Sequence, residues 1–479
     1  MTSGKPSEIQ IDRVYPSEQS QDVDDGASVV VFAIGRGFAA LVYALLYNFI
    51  YEVYLFPLFE YFGFRNYESN GLVIIFGVST VVLAAMALPK RITLPSDFCS
   101  WMIFVLIYVP AVITISKSGT LPGNGAEVLI GSLFISQLLI STIPRMLTLR
   151  EIYFPALRDI ANPVGLSTVS VLISVILTAR FYGVMDLAGF DEIYIQRENA
   201  SVGESNFVFR YLVLWQTYAI APLLIAVSFY TRRKIYLAPP ILGLVVIYLI
   251  TAAKATLFIY ATIFFVYLLN RWGAFRRPSL LMSIAIVPLA LAAVVFWLLG
   301  SRLEGPLMIG TSVIIMRGIA VQGMLANLYA EFFTTNPYTY FSHVNIVGLL
   351  IEYPYAEPLS TELSYFLIGN ADAGANSSFW ATDGIASAGS LGVVLIGLFV
   401  GVVFSAINAF MRDVDPAFAA LLLTPFVMAL ANVSIFTTIL SAGAFIVFLL
   451  GAPLFSRLRE QSGGRVHPHG LSGQPGSLS

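Results

Sequence analysis

Residues 211–252 read YLVLWQTYAIAPLLIAVSFYTRRKIYLAPPILGLVVIYLITA, two apolar runs parted by Arg232, Arg233 and Lys234. Each run has about the 20 residues a helix needs to cross hydrocarbon. Backbone groups in lipid must be satisfied internally, so a span is a helix or a closed barrel, and runs without period-two alternation exclude the barrel. The same pattern recurs outward in both directions. Apolar windows fall near 38–60, 71–88, 99–116, 127–144, 163–179 and 211–230, then near 236–252, 255–270, 280–299, 385–411, 416–435 and 439–455. With 57% hydrophobic and only 11% charged residues, the chain cannot show an ordinary water-soluble surface over most of its length. The expected fold is all-α and polytopic, with about twelve transmembrane helices over 29–456, flanked by polar, disordered cytoplasmic tails at 1–28 and 457–479.

Orientation follows from the short loops. One alternate set holds Lys90, Arg91, Arg145, Arg150, Arg158, Arg232, Arg233, Lys234, Arg271, Arg276, Arg277 and Arg412. Positively charged loops stay in the cytoplasm, and Lys5, Arg13, Arg457, Arg459 and Arg465 put both termini there too. The opposite side keeps eight basic residues, and Arg36 reads as a boundary anchor. The first 28 residues have no basic start followed by a short apolar core and a small-residue cleavage site, so a removable signal peptide is not expected there. The lone Cys99 excludes an intrachain disulfide and a thiolate metal cage, leaving a small packing residue. His467 and His469 fall in the polar tail.

Two outer segments are long, 180–210 and about 300–384. The first, RFYGVMDLAGFDEIYIQRENASVGESNFVFR, retains Arg180, Arg197 and Arg210 on the side that disfavours them. Guanidinium groups hold phosphate oxygens through paired planar donors, so these are candidate ligands of an anionic substrate; salt bridging to the five nearby carboxylates is the alternative. The second segment carries Arg302, then Arg317, then NLYAEFFTTNPYTYFSHVNIVGLLIEYPYAEPLS at 327–360. Gly318 to Phe333 has a helical pattern and is expected to re-enter the membrane surface. His343 is the one histidine outside the tail, and imidazole suits proton transfer near neutral pH, although a lone histidine is usually structural. Glu331, Glu352 and Asp383 are candidate bases for a sugar hydroxyl, among several carboxylates that sequence does not separate. Aromatic residues here suit stacking on pyranose rings or an interfacial belt equally. Lys254, in TAAKATLF, is either an anion ligand or a snorkelling anchor.

Walker loops, dinucleotide glycine patterns, zinc helices and nucleophile elbows are all missing from the sequence, so no cofactor or metal is expected. Energy for an outer-face reaction would arrive in the substrate, as in an activated lipid-linked donor.

Twelve spans, cytoplasmic termini, two enlarged outer loops with arginines, and NSSFWATDGIASAGSLGVVLIGLFVG at 376–401 resemble the O-antigen and oligosaccharide repeat-unit polymerases of the Wzy type. Asn376, Asp383, Gly389 and Gly392 match the segment leading into the tenth span of such proteins. The resemblance implies an architecture similar to the GT-C-like and O-antigen ligase proteins, in the bacterial inner membrane. It implies transfer of an undecaprenyl-pyrophosphate-linked oligosaccharide to the next lipid-linked repeat unit at the periplasmic leaflet, with arginines of both loops on the pyrophosphates. Membrane lipids, a chain-length regulator and a flippase are the implied partners, with no nucleic acid. An arginine-to-glycine spacing of about eleven, seen in some members, is not met after Arg180 or Arg302. The related ligases carry a loop histidine, so His343 within SHVN at 342–345 keeps a ligase reading open. Membrane glycosyltransferases of the GT-C group place an acidic pair in the first outer loop, which here is YFGFRNYESN without one. A transporter would bury ionisable groups at mid-membrane and show internal repeats, and the predicted spans are nearly free of charge away from their ends.

Overall fold

The computed structural model describes residues 26–67, 70–186, 207–252, 254–299, 305–344, 347–369, 375 and 379–461. These are helices and connecting turns, and no strand occurs among them. The protein is an all-α, multi-pass membrane protein. Nine helices among the described residues are long and apolar enough to cross a bilayer. In chain order the helices are α1 (Val31–Phe62), α2 (Gly71–Ala87), α3 (Pro95–Ser118), α4 (Gly125–Met146), α5 (Pro163–Val184), α6 (Phe207–Thr231), α7 (Lys234–Thr251), α8 (Thr256–Arg271), α9 (Pro278–Leu299), α10 (Met308–Phe332), α11 (Leu359–Ile368), α12 (Ala381–Phe410), α13 (Pro416–Leu430), α14 (Ile435–Leu440) and α15 (Ala444–Gln461).

Local sequence explains where helices begin. Asn70 accepts the amide of Leu72, Asn162 that of Gly165, and Asp415 those of Ala417 and Phe418, so short polar side chains satisfy donors of the first turn. Pro163 and Pro416 follow two of these caps, where a missing N–H costs nothing. Asp97, buried in the first turn of α3, accepts the amides of Thr93 and Leu94 and the Thr93 hydroxyl, and pairs with Arg145 at 3.0 Å.

Helix α3 is the centre of the bundle, with its apolar window wholly buried. It packs against α1, α2, α4, α10, α12 and α13. Cys99 lies buried in it. The most extensive helix pair is α4 with α12. There Gly397 faces Ser136 and Gly401 faces Ile143, and a Cβ at Gly401 would come within 2.9 Å of Ile143 Cβ. Small residues four apart let two backbones approach closely where lipid supplies no hydrophobic drive.

Named contacts tie the helix ends into two layers. At the Arg36 end, Arg36 donates to the carbonyls of Leu88 and Met86, Ile92 N–H donates to Phe275, Asn408 accepts the amide of Ser96, and Arg457 donates to the carbonyl of Arg158. At the Arg65 end, Tyr67 N–H donates to Ser118, Asp186 N–H to Leu249, and Arg65 pairs with Glu331.

Three expectations change. Helix α10 is apolar and long enough to span, yet it lies within the stretch expected as an outer loop. It contacts the end of α1 and the turn after it: Tyr54 donates to Thr311 at 2.8 Å, Arg317 lies over the Phe62 ring, and Glu331 pairs with Arg65. Residues 457–461, expected in the C-terminal tail, are helical in α15, and a helix at the other terminus starts at Gly26. Third, single windows hide breaks: Ser312–Ala320 in α10 is π-helical, as are Tyr51–Leu55, Phe104–Tyr108 and Gln216–Ile220. The Tyr43 hydroxyl donates to the Val105 carbonyl inside one of these wide turns, at 2.7 Å.

Gly401→Leu should overpack the α4–α12 contact and cost about 1–3 kcal/mol. Thermal unfolding in detergent checks this, and an unshifted midpoint would mean the two backbones are not in contact there.

Candidate functional site

The site grows from a break in α12. Ala388 and Gly389 leave the helical region, Gly389 at φ +60° and ψ −139°, a conformation essentially reserved for glycine. In an unbroken helix Gly384 and Gly392 would stand about 12 Å apart. Here a Cβ on Gly392 would lie 2.0 Å from the Gly384 carbonyl oxygen, so the segment before the break folds back onto the segment after it. Neither glycine tolerates a side chain.

A helix end leaves carbonyls without partners. Ala386 O accepts the amide of Thr339 at 2.8 Å, and Ser387 O accepts that of Tyr340 at 3.1 Å. The loop at 338–344 is thereby fastened across the break. Tyr340 and Phe341 pay for this with left-handed backbones, φ +48° and +65°, an uncommon conformation for aromatic residues. The turn is held by the Ser342 hydroxyl, which donates to the Thr339 carbonyl at 2.6 Å, and by Tyr338 lying against Gly389.

This loop delivers His343 to Asp383. Imidazole Nε2 lies 3.6 Å from Asp383 Oδ1, and Nδ1 lies 2.8 Å from the Thr339 hydroxyl. The other carboxylate oxygen of Asp383 accepts from the Ser434 hydroxyl at 2.7 Å and from the Ile435 amide at 3.2 Å, at the start of α14. Asp383 thus joins three segments: the loop, the folded-back part of α12, and α14. Its side chain is 0% exposed and that of His343 12%. Thr339 can turn its single proton either to His343 Nδ1 or to the Ala386 carbonyl, 3.0 Å away. In the first arrangement Nδ1 accepts from the hydroxyl; in the second the hydroxyl oxygen accepts from Nδ1–H. The same heavy-atom geometry accommodates both.

Next to this lies an aromatic wall at the end of α10. Phe333 stacks on Tyr338 at 5.7 Å, Phe332 meets Tyr355 and Phe366, and the Tyr355 hydroxyl donates to the Pro337 carbonyl at 2.5 Å. Burial, reinforced by Glu362, pushes the Tyr353 and Tyr355 phenols up, Tyr355 to about 12, so both remain protonated donors at neutral pH. Glu331 and Arg65 form an ion pair at the head of the wall, each retaining partial access, 18% and 25%.

Of the expected site residues, His343 and Asp383 come together, and Glu331 stands on the same sequence-continuous wall, paired with Arg65. Glu352 is exposed in the turn beyond Val347–Leu349. Arg317 is exposed in the π-helical part of α10, its guanidinium 4.7 Å above the Phe62 ring. Arg180 lies over the rings of Phe181 and Phe209 at 5.4 and 5.6 Å, and Arg210 is exposed in the first turn of α6. Lys254 begins a helix that runs to Arg271. Arg197, Arg302 and Asn376 lie outside the described residues. Among the described residues no three His, Cys, Asp or Glu side chains gather as metal ligands.

Sequence reasoning missed Arg65 as a partner of Glu331, and Thr339 and Ser434 as hydroxyls of the His343–Asp383 pair. It also missed the ion pair of Lys117 with Glu52, in which the Lys117 side chain is buried within the bundle. The signal available for that pair was Glu52 inside the apolar window at 38–60 and Lys117 directly after the window at 99–116. Comparison with protein-family models, with curated proteins and with solved structures gives no match.

Asp383→Ala should release the loop at 338–344. Amide hydrogen exchange at Thr339 and Tyr340 is expected to rise at least about tenfold while α3 stays protected. Unchanged exchange at both amides would remove Asp383 as the fastening point.

Proposed function

We propose that the protein is a glycosyltransferase of the bacterial inner membrane that polymerises undecaprenyl-pyrophosphate-linked oligosaccharide repeat units on the periplasmic side. The carrying observation is the grouping, at the Arg65 end, of an accessible carboxylate–guanidinium pair, an aromatic wall and a rigidly fastened loop. In the reading with twelve crossings and cytoplasmic termini, the lysine and arginine bias puts that end outside. The contacts of α10 with Tyr54, Phe62 and Arg65 support counting it as part of the outer layer and not as a thirteenth crossing.

In this reading Arg65 and Arg317 hold pyrophosphate oxygens, as planar donors do, and aromatic faces of the wall receive sugar rings. Glu331 is the group that meets the acceptor hydroxyl. The hydroxyl oxygen attacks the anomeric carbon of the donor, its proton passes to Glu331, the bond from that carbon to the pyrophosphate oxygen breaks, and undecaprenyl pyrophosphate leaves. His343 and Asp383 act as positioning residues, because both imidazole nitrogens and both carboxylate oxygens face protein atoms. An O-antigen ligase would use the same parts on a different acceptor.

A transporter reading draws on one feature, the broken α12, since interrupted helices with freed carbonyls form substrate sites in such proteins. Here the Ala386 and Ser387 carbonyls already accept Thr339 and Tyr340, which leaves them less free to hold a substrate.

Purified protein in nanodiscs, given single lipid-linked repeat units, should yield multimers. Glu331→Gln is expected to lower the rate by about 10²–10⁴-fold, the range for a general base, without lowering thermal stability to match. Unextended units would overturn the polymerase reading, transfer to a lipid A core would establish a ligase, and full turnover by the Gln variant would remove Glu331 from the chemistry.

A further inference from the structure

The loop that carries His343 continues into a feature the proposed reaction does not use. Leu349 and Leu350 are 85% and 87% exposed, and Ile351 beside them is also exposed. From Phe341 to Ile351 the sequence has no Asp, Glu, Lys or Arg, and the first charge is Glu352. Contiguous apolar exposure of this kind marks an interaction site in a stable protein.

Four amides at this tip already have partners within it. Val347 and Gly348 donate to the Val344 carbonyl at 2.8 and 2.9 Å, and Leu350 and Ile351 donate to Val347 at 2.9 and 3.0 Å. A segment that enters lipid needs such internal partners, because acyl chains offer none. The root of the loop is fixed at Ala386 and Ser387, four residues before Leu391, which begins the exposed apolar stripe Leu391, Leu395, Leu398 and Val402 of α12. The tip and this stripe are both exposed and apolar. Exposed tyrosines Tyr61, Tyr67, Tyr340 and Tyr365 occur at the same end, the residue type enriched where bilayer meets water.

We propose that Leu349, Leu350 and Ile351 form a membrane-inserting tip, with its occupant the acyl-chain border of the bilayer leaflet at the Arg65 end. Glu352 stays among headgroups. Val347 and Gly348, hydrogen-bonded to the carbonyl of Val344 beside His343, tie the tip to the loop, so the bilayer surface sets the height of the fastened loop above the broken helix. Only the naming of this leaflet as the periplasmic one rests on the function proposed above.

The test uses the full chain with Cys99→Ala, and with Leu350→Cys or Glu352→Cys labelled by an environment-sensitive NBD fluorophore, in phosphatidylethanolamine–phosphatidylglycerol vesicles. The label at 350 should emit to the blue of the label at 352. It should be quenched at least about twofold more by shallow nitroxide-labelled lipid, and several-fold less by aqueous iodide. The label at 352 controls for insertion driven by the fluorophore itself. Equal iodide quenching at both positions would overturn the proposal in favour of an aqueous tip. Resistance at 350 to both quenchers would overturn it in favour of a protein partner or second copy. Neither readout needs turnover, so loss of the transferase reading would leave the tip standing, and an aqueous tip would leave the transferase reading standing.

Discussion

Two carbonyls at the break in α12 organise one end of this molecule. When Ala388 and Gly389 abandon the helix, the oxygens of Ala386 and Ser387 lose the amides that a continuing helix would have supplied. Buried backbone acceptors are rarely left alone, and here the amides of Thr339 and Tyr340 take them. That capping drags two aromatic residues into left-handed backbone geometry and brings His343 over Asp383. It also roots the apolar tip at 349–351. Without the break there would be no reason for the loop to lie where it does.

The charges are distributed with similar economy. Asp97 accepts three hydrogen bonds and pairs with Arg145, while Asp383 accepts from a hydroxyl and an amide beside an imidazole. Burying a carboxylate is tolerable only with such company. The two differ in what they join. Asp97 binds the starts and ends of neighbouring helices into the Arg36 layer, whereas Asp383 connects elements that are far apart in sequence and individually short.

Much of the fold was legible because hydropathy is a local property. The windows at 127–144 and 163–179 correspond to Gly125–Met146 and Pro163–Val184, and the cap residues Asn162 and Asp415 stand next to prolines that open their helices. Helix α10 read as loop because its apolar run is interrupted by Arg317 and closes on Glu331; their partners Phe62 and Arg65 lie at the end of α1 and just beyond it. Gly389 and Gly392 were read as a pattern leading into a span. Their actual effect, a fold-back in which Gly384 touches Gly392, depends on two backbone dihedrals that no residue count reveals.

The sequence by itself determined that the chain lives in lipid as helices, and through its loop charges it argued for one orientation. It also put forward His343 and, without choosing among them, Glu331, Glu352 and Asp383 as residues with chemistry to offer. Only the tertiary structure decided their company: Arg65 beside Glu331 across 266 residues, and Ser434 beside Asp383 across 51. The physical reason is that crossing a bilayer requires only apolar length, which each segment carries alone, whereas an ion pair or a capped carbonyl exists only between atoms brought together from distant parts of the chain.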